Sequence, residues 1–163
     1  MKRLLLLLTL TLLPLAAGAQ TDWKEYVNPR FGFKLSIPTN LQAKREPTNG
    51  QGREFFTKDQ EFQLAAYAHF LIEEDSLDKR WAEELAELGK FITYKKKAKT
   101  WYVVSGVRDG TEFYHQTHVK DGNWATFRIT YPHAKAKQYD PWVEKIAKSF
   151  VPFLEGDYDR ITN

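Results

Sequence analysis

Apolar and polar residues alternate with two different periods along this chain, and the period marks where strands end and helices begin. Trp23–Asn28 reads as a short strand, followed by a Pro29-Arg30-Phe31-Gly32 turn. Phe33, Leu35 and Ile37 then alternate with Lys34 and Ser36 in a half-buried strand that Pro38 stops. Residues Gln42 to Arg53 are polar and contain Pro47, Asn49, Gly50 and Gly52, the composition of a flexible loop. Strands are predicted at Glu54–Lys58 and Phe62–Ile72, the second apolar enough for the middle of a sheet.

The period then changes. Asp75 or Ser76 can cap a helix running to Leu88, with Gly89 after it. Leu77, Trp81, Leu85 and Leu88 form its apolar stripe, and Asp78, Glu83, Glu84 and Glu87 are expected to face away. Phe91–Lys96, Trp101–Arg108, Thr111–Lys120 and Trp124–Tyr131 follow as strands, turned at Asp109-Gly110 and Asp121-Gly122-Asn123. A second helix is expected from Asp140-Pro141, a cap with proline at the first helical position, to Pro152. Four strands, a helix, four strands and a helix predict an α+β domain, a single antiparallel sheet with two main helices packed on it.

The turns imply a register. Pairing Arg108 with Thr111 sets Val104 opposite His115 and Tyr102 opposite Thr117, and a three-residue second loop sets Lys120 opposite Trp124. One face then gathers Tyr102, Val104, Phe113, Val119, Ala125, Phe127, Ile129 and Tyr131 as a core. The other gathers Trp101, Val103, Ser105, Tyr114, Gln116, His118, Trp124, Thr126, Arg128 and Thr130. Rings that supply contact area and polar groups that fix orientation make a ligand platform, so Trp101, Tyr114, Gln116, His118 and Arg128 are the candidate ligand- or partner-binding residues.

The start of the chain gives an address. Met1-Lys2-Arg3, a leucine-rich run from Leu4 to Leu15 and Ala17-Gly18-Ala19 have the order of a secretory signal peptide, cleaved near Ala19-Gln20. The run is shorter than the ~20 residues that span a bilayer, and no cysteine follows to carry a lipid. The expectation is a secreted or periplasmic protein with no transmembrane segment after cleavage, residues 20–163 forming one domain, as a monomer. Removing 19 of 163 residues leaves 144, enough for a core without staples. The chain has no cysteine, which excludes disulfides and thiolate zinc sites. Without Lys2 and Arg3, the 24 basic residues become 22 against 21 acidic, a net charge of +1. That balance gives no global attraction to nucleic acid, and none is expected as a partner.

Candidate chemistry is sparse. His115 and His118 are three apart in a strand and point to opposite faces, His69 lies in an apolar strand, and His133 follows a strand end; no metal site and no cofactor are expected. Ser105-Gly106 lies within a strand, outside any G-x-S-x-G elbow, and the register separates Ser105 from His118. No catalytic residue is assigned. Lys95, Lys96, Lys97 and Lys99 concentrate positive charge, to which Lys120, Lys135 and Lys137 could add, as a basic patch for an acidic surface; lysines also protect exposed sheet edges.

Three segments, YVNPRFGFKLSIP at 26–38, WYVVSGVRDGTEFY at 101–114 and YDPWVEKIAKSFVP at 139–152, together resemble the PsbP-like family, whose name-giving members are extrinsic lumenal subunits of photosystem II. The resemblance spans residues 23–153 in element order. It implies an antiparallel sheet with helices on both sides, members that mostly bind other macromolecules, and no shared catalytic motif. The leading expectation is thus an exported, non-catalytic binding or interaction module of the cell envelope, its partner an unknown protein or small ligand. The alternatives are a small secreted hydrolase using scattered carboxylates or Ser105, and a peripheral membrane-surface protein held by the lysine cluster.

Overall fold

The first two predicted strands fold on each other. β1 (Trp23–Val27) and β2 (Lys34–Pro38) form an antiparallel hairpin with Tyr26 opposite Leu35. Its turn is held by fully buried Asn28, whose side-chain oxygen accepts from the backbone N–H groups of Arg30 at 3.1 Å and Phe31 at 2.8 Å. The structure, a computed structural model, describes residues 21–72 and 76–154. The leader expected over residues 1–19 and the capping candidate Asp75 lie outside them.

The larger sheet takes β3 (Gln42–Ala43), β4 (Gly52–Phe56), β5 (Gln63–Phe70), β6 (Ile92–Lys97), β7 (Trp101–Arg108), β8 (Thr111–Lys120) and β9 (Asn123–Pro132). All its pairings are antiparallel, in the order β3-β4-β5-β9-β8-β7-β6. The single sheet expected from the pattern is therefore two sheets among the described residues, of two and seven strands. The hairpin stays separate because β2 presents Phe33, Leu35 and Ile37 to the face of the large sheet, and its backbone bonds beyond β1 go to no strand of that sheet: Val151 exchanges two 2.9 Å hydrogen bonds with Lys34, and Ser36 donates to Ser149 Oγ. The loop expected at 42–53 also contains an edge strand, since Gln42 and Ala43 pair with Phe56 and Phe55.

The β7–β8 register is the expected one, with Arg108 opposite Thr111 and Val104 opposite His115. The β8–β9 register is corrected by one residue. Asp121 (φ 49°) and Gly122 (φ 74°) form a two-residue turn like Asp109 (φ 50°) and Gly110 (φ 77°), so Lys120 pairs with Asn123 and Thr117 with Thr126. A one-residue slip exchanges the two faces of a strand. Ala125, Phe127, Ile129 and Tyr131 consequently lie on the opposite side of the sheet from Tyr102, Val104 and Phe113. Hydrophobicity alone could not choose between the registers, because both sides of this sheet carry a core.

Helix α1 (Leu77–Leu88) covers one side, its Leu77 and Leu88 packed on Tyr102, Val104 and Phe113. Its cap is Ser76, whose hydroxyl accepts from the Lys79 N–H at 3.1 Å. Helix α2 (Ala136–Ser149) and the β1–β2 hairpin cover the other, where Tyr139, Val143 and Ile146 meet Leu64, Phe127 and Ile129. α2 starts earlier than Asp140, behind a 3₁₀ turn at His133–Lys135, and Pro141 lies inside it. The reason is Tyr139: one turn of helix ahead of Val143, it is fully buried among Phe62, Tyr131 and Trp142, with ring centroids 5.2–5.6 Å away. That burial outweighs the one helical hydrogen bond that proline cannot donate.

Coverage is unequal. Seven strands span about 30 Å, three times the ~10 Å width of a helix. The α2 side has a helix and a hairpin, whereas among the described residues the other side has α1 alone, seated over β7. Arg80 of α1 reaches over Trp124 at one end of β9, and the described residues leave the rest of the half formed by β9, β5 and β4 open there.

Gly106 marks the tightest backbone approach. A Cβ at this position would lie 2.0 Å from the carbonyl oxygen of Phe91, where β6 bulges between Ile92 and Tyr94. Gly106→Ala is expected to destabilise the fold by about 1–3 kcal/mol in urea unfolding, whereas Gly89→Ala, with open space at its Cβ, should stay within about 0.5 kcal/mol. Equal midpoints for the two variants would contradict this packing.

Candidate functional site

Leu77, Trp81, Glu84 and Leu88 recur at intervals of four, three and four, so Glu84 points inward with the apolar stripe. It is 5% exposed, which corrects the expectation that it faces away. Two groups from the sheet meet it. Arg128 Nη2 donates to Glu84 Oε1 at 2.7 Å, and His115 Nδ1 lies 2.9 Å from Glu84 Oε2. His115 and Arg128 are directly paired across β8 and β9, so the corrected register brings them together.

A buried carboxylate needs such partners, since desolvation alone costs several kcal/mol. Burial pushes the Glu84 carboxyl up, but the hydrogen bond from His115 and the charge of Arg128 outweigh it and hold Glu84 below its ordinary 4.5. Because Glu84 is ionised, His115 Nδ1 is the donor in their contact, and Nε2 is the ring nitrogen left for other work. Burial pushes neighbouring Tyr102 up to about 12, so it is a neutral phenol beside the ion group.

His115 and Arg128 also line a cavity of about 270 Å³ with Lys44, Glu54, Gln60, Gln63, Ala65 and Thr130. A second, of about 250 Å³, shares Lys44, Glu54 and Ala65 and extends to Arg45, Arg53, Tyr67 and His69. The two are lobes of one groove on the open half of the α1 side. Arg128, Lys44 and Arg45 bring three cations, against Glu54 in the groove and Glu84 behind it, while Arg53 pairs with Ala66 and so projects with Phe55 to the hairpin side of β4. Lys44 is engaged by Glu54 at 2.5 Å. The groove therefore holds one cation more than it has carboxylates, with Glu84 counted behind it.

The expected platform is divided by the register. Trp101, Tyr114, Gln116 and His118 do come together, on the α2 side near β6. Tyr114 donates to Gln116 Oε1 at 3.1 Å, Gln116 Nε2 donates to His118 Nε2 at 2.9 Å, and the His118 ring stacks on Trp101 at 6.0 Å. Accepting that hydrogen bond requires neutral His118, and burial indeed pushes its pKa down to about 4. Arg128 lies on the other side of the sheet. As expected, His115 and His118 point to opposite sides and Ser105 pairs with Tyr114. No group of three or more His, Cys, Asp or Glu side chains suited to a metal occurs among the described residues.

The lysines do not all converge either. Lys95, Lys96 and Lys97 are exposed on edge strand β6 and Lys99 in the turn after it; Lys97 pairs with Asp78, and Lys96 sits 5.5 Å from the Trp101 ring centre. Lys135 pairs with Glu61 at the opposite end of the sheet.

No protein-family model matches the chain, and no curated protein matches it in sequence. The chain is similar in structure to cyanobacterial PsbP (CyanoP) from Synechocystis sp. PCC 6803, with a TM-score of 0.60 over 85% of this chain and 96% of that one. The fold is PsbP-like. Sequence identity is 11%, so the likeness is one of fold. Among the described residues no helix is long and apolar enough to cross a membrane.

Two titrations follow. With the His118 pKa lowered from 6.5 to about 4, the unfolded chain takes up the proton first, so stability falls as pH drops across that window, by up to about 3 kcal/mol. His118→Gln should flatten this slope in urea unfolding between pH 7 and 4; an unchanged slope would exclude a buried neutral His118. The Glu84 pKa is lowered, so its contribution is complete above 4.5 and is lost as pH falls through the folded value. Glu84→Gln should cost about 1–3 kcal/mol at pH 7, below the range for a fully buried pair because the Arg128 side chain is 42% exposed, and should shrink the stability loss below pH 4.5.

Proposed function

We propose that this chain is an exported binding module without catalysis, whose ligand seat is the open half of the α1 side. One observation carries the reading: α1 leaves a groove over β9, β5 and β4, and at its edge Glu84 fixes an arginine and a histidine that line it. Fixing Arg128 and His115 before a ligand arrives removes the ordering cost that flexible side chains otherwise impose on binding. The leader-like order of residues 1–19 supports work outside the cytoplasm. Trp101, Tyr114, Gln116 and His118, tied to one another by hydrogen bonding and stacking, serve in this reading to hold the sheet.

Ala65 is the floor common to both lobes, and it pairs directly with Arg128. Ala65→Trp should fill the groove from within while leaving the thermal midpoint within a few degrees. Native mass spectrometry of protein recovered from its source should then show a small molecule on the wild type and none on the variant. Equal loading of both would place the ligand elsewhere.

A second reading, a small hydrolase, is favoured by the Glu84–His115 contact, since a carboxylate that holds Nδ1 and leaves Nε2 toward a cavity is the arrangement of a general base. Ser105 points to the other side of the sheet and takes no part. Turnover of ester, glycoside or peptide substrates that disappears in His115→Ala would establish this reading; blank results across the set would remove it.

A further inference from the structure

We infer that the groove takes a small aromatic carboxylic acid, its carboxylate on Arg128 and His115 and its ring over Ala65 toward Tyr67 and His69; this rests on the binding reading above. The acid end follows from Arg128. Its guanidinium is held at Nη2 by Glu84, while Nε is buried with no acceptor among the described residues. A guanidinium has five N–H donors in a planar fork that matches a carboxylate. Glu84 anchors that fork from the helix side, and the exposed part of the guanidinium, its side chain 42% exposed, is what lines the groove. His115 adds a ring nitrogen from the paired strand.

Charge selects the same class. Arg45 lines the second lobe in addition to the cations that Glu54 and Glu84 engage, so a neutral ligand would leave one positive charge uncompensated. A phosphate would call for several converging donors, whereas the first lobe offers one guanidinium and one imidazole, with Lys44 already on Glu54.

The ring end follows from the strand. Tyr67 is two residues from Ala65 on the same face of β5, about 7 Å further along. The Tyr67 and His69 rings are 5.8 Å apart and nearly perpendicular, and both line the second lobe. Its volume of about 250 Å³ exceeds the ~150 Å³ of a cavity that holds benzene. The small side chain of Ala65 leaves the path between acid site and ring site flat.

The test titrates the full chain with 3-phenylpropanoate, its neutral amide 3-phenylpropanamide, and inorganic phosphate, reading calorimetric affinity and the NMR signals of His115, Ala65 and Tyr67. The acid is expected to move all three signals and to bind at least tenfold more tightly than the amide or phosphate. Arg128→Lys, which keeps a cation beside Glu84 but loses the fork, should weaken the acid at least tenfold, and Lys96→Gln should leave it unchanged. Equal binding of acid and amide, tighter binding of phosphate, or an Arg128→Lys variant that binds normally would overturn the acid inference while the groove remains a binding site. Silence of all three signals with every probe would overturn the inference, and an Ala65→Trp protein that still carries its native ligand would separately overturn the groove.

Discussion

The pairing of β8 with β9 is the constraint on which the rest of this structure depends. Asp121 and Gly122 both adopt positive φ and close a turn of two residues, which fixes Lys120 opposite Asn123 and every pair beyond it. Through that pairing Phe127 and Ile129 face α2, Arg128 faces α1, and His115 becomes the neighbour of Arg128. A slip of one residue would put Arg128 into the aromatic core and turn Phe127 toward Glu84. Two short left-handed residues thus decide both what packs under α2 and what meets α1.

Glu84 converts that register into a local arrangement. A helix laid on a sheet has no need of a carboxylate on its inner face, and an isolated one would be expelled or neutralised. Here both oxygens are engaged, one by each strand, so the charge joins α1 to the seam between β8 and β9. The apolar contacts of Leu77 and Leu88 hold the helix down, and the carboxylate sets its rotation. Side chains held this way are oriented without being covered, the condition for a preformed polar site beside open space.

Much of the architecture could be read from the residues because strong local signals agreed with the tertiary result. The alternation of Phe33, Leu35 and Ile37, the Ser76 cap and the Asp109-Gly110 turn each have a local physical cause, and each element is where that cause puts it. The errors arose where tertiary burial decided. Asp140-Pro141 has the look of a helix start, but Tyr139 needs a turn of helix before it. Glu84 was assigned to solvent by its charge, although the spacing 77-81-84-88 places it on the buried stripe as surely as it places Leu88. The separate β1–β2 sheet has no local signature, since whether a hairpin extends a sheet or lies across it depends on partners more than a hundred residues away. Of the candidate site, Arg128 is legible as a polar group in a meander, but the register off by one puts it on the face opposite His115, and His115 itself carries no signal beyond that of a candidate metal ligand.

Those distant partners also govern when the molecule can become itself. Ser36 donates its backbone N–H to Ser149 Oγ at 2.8 Å, and the centre of the large sheet joins β5 to β9 across more than fifty intervening residues. Neither contact can form before residues 123–149 have been made. A nascent copy therefore has no stable half to collapse into: its early hairpin lacks the surface it must lie on, and its fourth and fifth strands lack the neighbour that would complete them. Such non-local closure slows folding. It keeps the hairpin and the β4–β5 pair pliable until β9 and α2 have been made, and then lets both settle on the same surface.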